Sequence, residues 1–594
     1  MPTYRNTPEQ EAVIAAIRDG RNVGVQACAG AGKTSTLVAA ARSVSDKSML
    51  YLAYNKALAL EAQAKMPSHV ATRTVHSLGY RACVRRQGGV WRPDEIGAAT
   101  GLQVATALNI RSLMLRDRLI SSSTLGYMVL AAVRAFCYSA DRDLGLPHFR
   151  AGRYGDVLDG EELAETKRAV IPYARDLLAM WWPVVPSARF PGLFTRAPNS
   201  VLKVPHDLYL KFYVQNLVDG QMAAPAADVV MVDEFQDSNA VTLQLVEHLM
   251  GLGRQIVAVG DPYQQIYEWR GSEDAFSRLK VESHLRLTQS FRFGPETAAL
   301  ASAWLRAQFG VNEDLVLSAQ GPTPIRHTLR QEDSTMVICR TNQSVAQVAL
   351  GIMQRGRMVC IPKGGEVAAE VADIAALKEG RKPRSNGEYA AFASFDELLE
   401  HVESDDGRRI KVLLDMIDIH GEDKLINLLK SAGENYQRAQ AAREAALAAG
   451  REPPVFDGTL VCTGHASKGL ESDRVWLSDD FNGPAKREES QATPKDNITV
   501  AQETARLLYV AMTRARRENN PLCVDAVREV YKAMDPRHAD TPTPDAGTLN
   551  MGHRPRKAAG QKKPSVPRKS RCSHKKKMVA TAEASSRSQK PLTF

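Results

Sequence analysis

The segment Ala27–Thr34, ACAGAGKT, has the residue types that hold a phosphate. Small side chains let the backbone wrap tightly, so that successive N–H groups converge on an anion. Lys33 supplies a cation for the β- and γ-phosphates, and Thr34 a hydroxyl for Mg²⁺. The candidate ATP-binding loop is Ala27, Cys28, Ala29, Gly30, Ala31, Gly32, Lys33, Thr34 and Ser35. Ala27 stands where the strict GxxxxGK[ST] pattern begins with glycine. The second half of such a site is an apolar strand ending in acids, and DVVMVDE provides it. There Asp233 would hold Mg²⁺, and Glu234 would orient and deprotonate the attacking water. Either segment alone could be an ordinary turn or a solvated acidic pair. Together they make ATP hydrolysis with Mg²⁺ the expected chemistry.

These groups need a scaffold that brings them to one edge. NVGVQA at residues 22–27 reads as a buried strand, followed by the loop and the helix STLVAAARSV. SMLYLAYN, HVATRTV, DVVMVDE, QIVAVGD and HLRLTQS are further short apolar runs, each closing on polar residues. Strands alternating with helices predict a parallel α/β sheet with functional loops at the strands' carboxyl ends. Between Tyr80 and Gln221 the pattern turns helical, with breaks at PHFRAG and RFPGLF, as an insertion would. A second α/β unit starts near Thr335 with TMVICRTN, helix QSVAQVALGIMQRG and strand RMVCIP, and resumes at TLVCTGH and DRVWLSD. Between them, residues 394–450 are helical and charged. The expected organisation is a first motor domain at 1–85 and 225–298 and a helical insertion at 86–224. A second motor domain is expected at 299–375 and 455–535, with a reduced insertion at 376–454 and a disordered basic tail at 536–594.

Composition narrows the class. At 594 residues the chain exceeds a single hydrophobic core, and 44% hydrophobic with 24% charged residues is ordinary for a globular protein. No run approaches the ~18 apolar residues of a membrane span, so no membrane partner is expected. MPTYRNTPEQEAVI shows neither a basic nor an apolar leader, which makes the cytosol of a bacterium or host cell, or the nucleus of a eukaryote, the expected compartment. The eight cysteines are scattered without a CxxC pair, which argues against a zinc site or a disulfide framework. The net charge of +10 is a tail property: residues 551–594 hold 13 Lys and Arg and one acid, leaving the preceding 550 residues at −2. Any nucleic-acid track in the body must come from local placement of charge.

The order of the remaining motifs is specific. VDEFQDSN, GDPYQQIYEWRGS, LTQSFRFG, TGHASKGLE and RLLYVAMTRAR follow the phosphate loop in that sequence. The set resembles the ordered motifs of UvrD/Rep-type superfamily 1 helicases over roughly residues 5–520. LAYNKALALEA, PHDLYLKFY and LTQSFRFGPE are closest to the F-box DNA helicase branch, although no F-box is apparent. The resemblance implies two RecA-like domains with ATP between them and single-stranded DNA across their tops. It implies forked or tailed duplex as substrate and 3′→5′ movement. Gln10 matches the adenine-reading glutamine, Phe291 a ring that stacks on adenine, and Glu471 a residue near the ribose and γ-phosphate. Gln264 and Arg270 match positions that sense the γ-phosphate, while Arg292 and Arg514 match arginines that stabilise charge on the phosphoryl group. Trp269 matches a base-stacking aromatic, and Tyr54, Asn55, Thr74, His76, Thr463, His465 and Lys468 match polar positions along the strand or nucleotide.

The chain also departs from the family. Phe291 replaces a frequent tyrosine, and Ser472 and Asp473 stand where relatives place apolar residues. ARRENNPLCVDAV is polar for a closing strand, so a short last strand is expected. Two other readings share these features. A translocase that strips proteins from DNA would use every catalytic residue named. A nonhydrolytic ATP-switched adaptor would not need Glu234, Gln264, Arg292 and Arg514 together.

Overall fold

A computed structural model describes residues 5–538, except 87–88, 117, 157, 184–201, 267–274, 312–314, 319–320, 384–388, 390–391, 393, 403–407, 450, 452–453, 455–457 and 483–499. RFPGLF, Trp269, Arg270 and the tail from 539 onward therefore lie outside the described residues.

Two parallel sheets carry the chemistry. The first has strand order β3-β2-β6-β7-β1-β8. Its strands are β1 (Val23–Ala27), β2 (Met49–Ala53), β3 (Val70–Thr74), β6 (Val229–Val232), β7 (Gln255–Gly260) and β8 (Ser283–Leu287). β2, β6 and β7 are buried at every position, as apolar strands covered on both faces must be. Helices α1 (Pro8–Arg18), α2 (Lys33–Ser43), α3 (Lys56–Lys65), α4 (Val75–Cys83), α9 (Ala240–Gly251) and α10 (Ala275–Arg278) accompany this sheet. The loops after β1, β2, β3, β6 and β7 all leave from carboxyl ends, which gathers the phosphate loop, Asn55, His76, the acidic pair and GDPYQQ at one edge.

The second sheet has order β12-β13-β11-β14-β15. It comprises β11 (Met336–Cys339), β12 (Val359–Cys360), β13 (Thr459–Thr463), β14 (Ser472–Leu477) and β15 (Ala515–Asn520), with helices α12 (Asn342–Gln354), α17 (Gln502–Met512) and α18 (Asp525–Met534). Helix α11 (Pro295–Phe309) bonds to α17 through Trp304 Nε1, which donates to the Ala505 carbonyl at 3.0 Å. Near its start, β9 (Gln289–Ser290) pairs in parallel with β10 (Leu317–Ser318). One apolar core runs through both units and includes Val25, Leu37, Leu300, Trp304, Leu460 and Tyr509. Truncating a fully buried leucine such as Leu300 to alanine would cost about 2–5 kcal/mol.

Two helical layers interrupt the sheets. Between β3 and β6 stand α5 (Gly101–Ala107), α6 (Ser122–Tyr138), α7 (Gly160–Trp181) and α8 (His206–Val218), with a hairpin of β4 (Leu113–Leu115) and β5 (Arg118–Ile120) that the sequence reading did not anticipate. Between β12 and β13 stand α13 (Gly364–Lys378), α14 (Phe395–Val402), α15 (Arg408–His420) and α16 (Glu422–Ala448). Because α13 packs along α16, this layer begins ahead of residue 376.

The expectation of a short last strand is corrected. β15 has six residues, as many as β7 or β14. The amide nitrogens of its buried asparagines donate to main-chain carbonyls, Asn519 Nδ2 to Met512 at 2.7 Å and Asn520 Nδ2 to Leu329 at 2.8 Å. Ser472 opens β14 with its hydroxyl 2.7 Å from that of Thr335, and Asp473 pairs with Arg516 at 2.8 Å. The polar departures are thus absorbed as strand-end hydrogen bonds and an ion pair.

Candidate functional site

The phosphate loop leaves β1 and enters α2 through a sharp turn. Gly30 and Gly32 have φ of 77° and 75°, a region that side chains disfavour. A methyl group at Gly30 would sit 2.6 Å from Ser290 Oγ and 2.7 Å from Arg292 Cβ, so the loop needs glycine on steric grounds too. Gly32 caps α2, and Lys33 is the helix's first residue, where unpaired N–H groups and the helix dipole favour an anion.

Lys33 Nζ lies 3.0 Å from Glu234 Oε1. Burial favours its neutral amine, but the carboxylates of Glu234, Asp233 and Asp261 outweigh that and hold it charged, above its ordinary value. Burial likewise opposes the Glu234 carboxylate, yet Lys33 and Lys468 keep it well below the usual range. Asp233 is pushed the other way, by burial and then by the adjacent Glu234 charge. It accepts a hydrogen bond from the Tyr51 hydroxyl. Glu234 adopts φ 52° and ψ 41°, a strained conformation for a residue with a side chain, and strain of that kind gathers at functional turns. Gln236 Nε2 holds the other Glu234 oxygen at 2.5 Å.

Two adjacent buried carboxylates facing one lysine leave a charge deficit that a divalent cation would correct. The donor set of Thr34 and Asp233 beside a glycine cradle fits a Mg²⁺–triphosphate. Among the described residues no separate His, Cys, Asp and Glu cluster suits a further metal.

The nucleotide-base end is built by α1. Thr7 and Gln10 form a capping box: Gln10 N donates to Thr7 Oγ1 at 3.2 Å, and Thr7 N donates to Gln10 Oε1 at 3.0 Å. This box fixes the Gln10 amide. A methyl at Gly32 would lie 3.1 Å from Gln10 Nε2 and 3.7 Å from the Phe291 ring, so amide and ring share one side of the loop.

Residues from the second sheet close on this edge. Arg292 Nε bonds Glu471 Oε2 at 3.0 Å and its Nη1 bonds the Thr513 carbonyl at 3.1 Å. Arg514, only 2% exposed, donates from Nη2 to Gln264 Oε1 at 3.3 Å and from Nε to the Val510 carbonyl at 2.7 Å. Gln264 Nε2 in turn holds Asp261 at 2.7 Å. Lys468 Nζ reaches Asp237 Oδ2 at 2.5 Å and the Gln264 carbonyl at 2.8 Å, which seats it in the cleft between the sheets rather than on an exposed track. The Tyr509 hydroxyl donates to Asp261 Oδ2 at 3.2 Å and accepts from the Ala29 N–H at 3.5 Å. Tyr51, Gln236, Asp237, Asp261 and Tyr509 were not singled out from the sequence. Asp237, Asp261 and Tyr509 stood inside motifs already quoted, and Tyr51 had only its place on a strand beside β6 as a signal.

The polar positions expected along DNA fall at the ends of β2, β3 and β13. Asn55 and Thr74 accept from Leu58 N and Ser77 N as helix caps, and Thr463 accepts from Ala466 N at 3.3 Å. Tyr54 is half-buried beside them. His465 is lowered by burial and then by Arg340, and it hydrogen-bonds the Ile266 backbone. His76 is 41% exposed and bonded to Asp207 at 3.0 Å.

Parallel sheets, a glycine cradle entering a helix, a lysine against an acidic pair, Arg292 beside the cradle and Arg514 from the second sheet define a tandem P-loop nucleoside-triphosphatase fold. More particularly, residues 216–282 of the chain match the UvrD/REP helicase N-terminal domain and residues 398–519 the UvrD-like helicase C-terminal domain. The two sheets are accordingly its two RecA-like domains. UvrD-like helicases are ATP-dependent NTPases that generally need Mg²⁺. The chain is 27% identical over 522 residues to F-box DNA helicase 1 of Gallus gallus, covering 86% of this chain and 48% of the relative. It is 26% identical over 547 residues to F-box DNA helicase protein 1 of Schizosaccharomyces pombe, covering 86% and 56%. It is 24% identical over 331 residues to ATP-dependent DNA helicase UvrD2 of Mycobacterium tuberculosis, covering 48% and 46%. The chain thus spans about half the length of the curated relatives it matches. No helix among the described residues is long and apolar enough to cross a membrane.

Proposed function

We propose that the chain is an ATP-driven DNA helicase that steps 3′→5′ along single-stranded DNA and opens forked or tailed duplex ahead of it. The observation that carries this reading is the joint between the sheets, where Gln264 accepts from Arg514 while its carbonyl accepts from Lys468. A simple nucleotide-binding module needs no such joint, whereas a motor must convert phosphate chemistry into relative movement of two domains.

Lys33 and the main-chain amides of Ala27–Ser35 hold the phosphates, while Gln10 and Phe291 bracket the base. Thr34 and Asp233 would hold Mg²⁺, which would offset the charge of the phosphates when bound. Glu234 takes a proton from the attacking water. Arg292 and Arg514 exchange their present partners, Glu471, Thr513 and Gln264, for the oxygens on which charge develops. Loss of that charge on product release returns the arginines to those partners and reopens the cleft. Gln264 passes the change along the chain toward Trp269 and Arg270, and Trp269 stacks on a base. Tyr54, Asn55, Thr74, His76, Thr463 and His465 line the strand. The cytosol, or the nucleus in a eukaryote, is the compartment this activity fits.

The test is hydrolysis of ATP by purified protein with no nucleic acid, single-stranded DNA, blunt duplex and single-stranded RNA. The reading expects strong stimulation by single-stranded DNA above the other three. Equal rates in all four would leave a nucleotide-hydrolysing protein without a DNA motor.

A further inference from the structure

The phrase PHDLYLKFY caps and opens α8 in the first helical layer. Its second helical residue, Asp207, sits against His76. Helix α4 follows β3 directly, so His76 is held at the sheet's carboxyl edge. One turn later α4 carries Gly79, where a methyl group would lie 3.0 Å from Leu210 Cα and 3.1 Å from the Tyr209 carbonyl. Glycine at that position lets α8 approach closely enough for its first turn to meet His76.

The contact is directional. Asp207 Oδ1 lies 3.0 Å from His76 Nε2, and Asp207 Oδ2 accepts from the Tyr138 hydroxyl at 3.2 Å. Burial works against the Asp207 charge, but the hydrogen bonds from His76 and the Tyr138 hydroxyl, with Arg134 nearby, more than offset it and keep the carboxyl below its ordinary range. An ionised carboxylate only accepts, so Nε2 carries the hydrogen and Nδ1 is the ring nitrogen left for another partner. Among the described residues Nδ1 has none. The edge of the Tyr209 ring packs near the imidazole, with centroids 6.3 Å apart and planes at 87°, and Tyr209 is itself held by His206 Nδ1 at 3.1 Å. One carboxylate therefore ties the exposed imidazole of the first motor sheet to α6 and α8 of the helical layer.

We propose that Asp207 is a positioning residue for DNA binding: it fixes the ring orientation and tautomer of His76 so that Nδ1 faces the single strand. The proposal rests on the reading of His76 as a track residue. It gives the helical layer a part in gripping DNA, since a shift of α8 rotates or releases the imidazole.

The experiment measures affinity of the full chain for a fluorescein-labelled oligothymidylate, the DNA concentration that half-saturates ATPase, and melting temperature. The variants are H76A, D207A, D207N and the H76A/D207A double. H76A and D207A are each expected to weaken DNA binding roughly three- to tenfold, and the double variant to be no weaker than H76A alone. For D207A the loss appears in the half-saturating DNA concentration rather than in the rate at saturating DNA. D207N, which can still accept from Nε2, recovers most of the affinity. Equal weakening by D207A with and without His76, accompanied by a lower melting temperature, would make Asp207 a helix-packing residue and overturn the proposal. Unchanged affinity in H76A would remove His76 from the track, and the proposal with it.

Discussion

Lys33 Nζ and Glu234 Oε1 are 3.0 Å apart at the carboxyl edge of the first sheet, so the proposed phosphate-binding lysine and the proposed base for water neutralise one another. Nucleotide must part them before either can act. K33A is expected to abolish hydrolysis, because it removes the cation that both phosphates and Glu234 use. E234Q keeps size and hydrogen-bonding capacity but loses the base, so turnover should fall by about 10²–10⁴-fold while nucleotide binding survives. Fluorescent-nucleotide titration alongside steady-state ATPase checks both variants. If E234Q also loses nucleotide, Glu234 shapes the pocket instead of activating water.

Asp237 and Lys468 form a buried ion pair across the cleft, and burial raises the Asp237 carboxyl to about 6 in spite of Lys468. Because this value lies above the unfolded one, the group favours the fold most when protonated, and that contribution is lost as pH rises through about 6. K468A removes the offsetting charge and pushes the carboxyl higher still, so the loss continues to higher pH. The difference in melting temperature between wild type and K468A should therefore widen from pH 5.5 to pH 8. A difference that stays constant across that range would mean that Asp237 does not change its charge between pH 5.5 and pH 8.

The Tyr509 hydroxyl joins the P-loop amide of Ala29 to Asp261 across the two sheets. Y509F keeps the buried ring and removes only this link. A net hydrogen bond is worth about 0.5–1.5 kcal/mol, so the turnover rate should fall by roughly two- to tenfold with the fold intact. A wild-type rate in Y509F would show that the link forms no part of the working cycle.

Residues 551–594 carry 13 basic side chains and one acid, against a body of net −2. Counterion release from such a segment adds salt-sensitive, sequence-independent DNA affinity. Deleting 551–594 is expected to weaken DNA binding and flatten its salt dependence, while DNA-saturated ATPase is retained. Unchanged affinity and slope across a salt series would exclude the segment as a DNA anchor.

Most strands were legible because their apolar runs are short, bounded by polar residues and buried on both faces, as with DVVMVDE and QIVAVGD. The phosphate loop was legible because backbone curvature demands small residues at fixed spacing. β15 was misread because Asn519 and Asn520 are buried with their amides on the main-chain carbonyls of Met512 and Leu329, which a polarity pattern cannot register. The direction of Lys468 was hidden for a similar reason: its partners, Asp237 and Gln264, are more than 200 positions away in the chain. Thr74 and Asn55 both act as helix caps at the strand termini where a DNA contact was expected.

The central claim is directional stepping on a single strand. Strand displacement is measured on otherwise identical duplexes with a 3′ tail, a 5′ tail or no tail, using wild type and E234Q with ATP and Mg²⁺. The account predicts ATP-dependent opening of the 3′-tailed duplex by wild type, little opening of the 5′-tailed or blunt duplex, and none by E234Q. Equal opening of all three duplexes, or opening by E234Q as fast as by wild type, would contradict it.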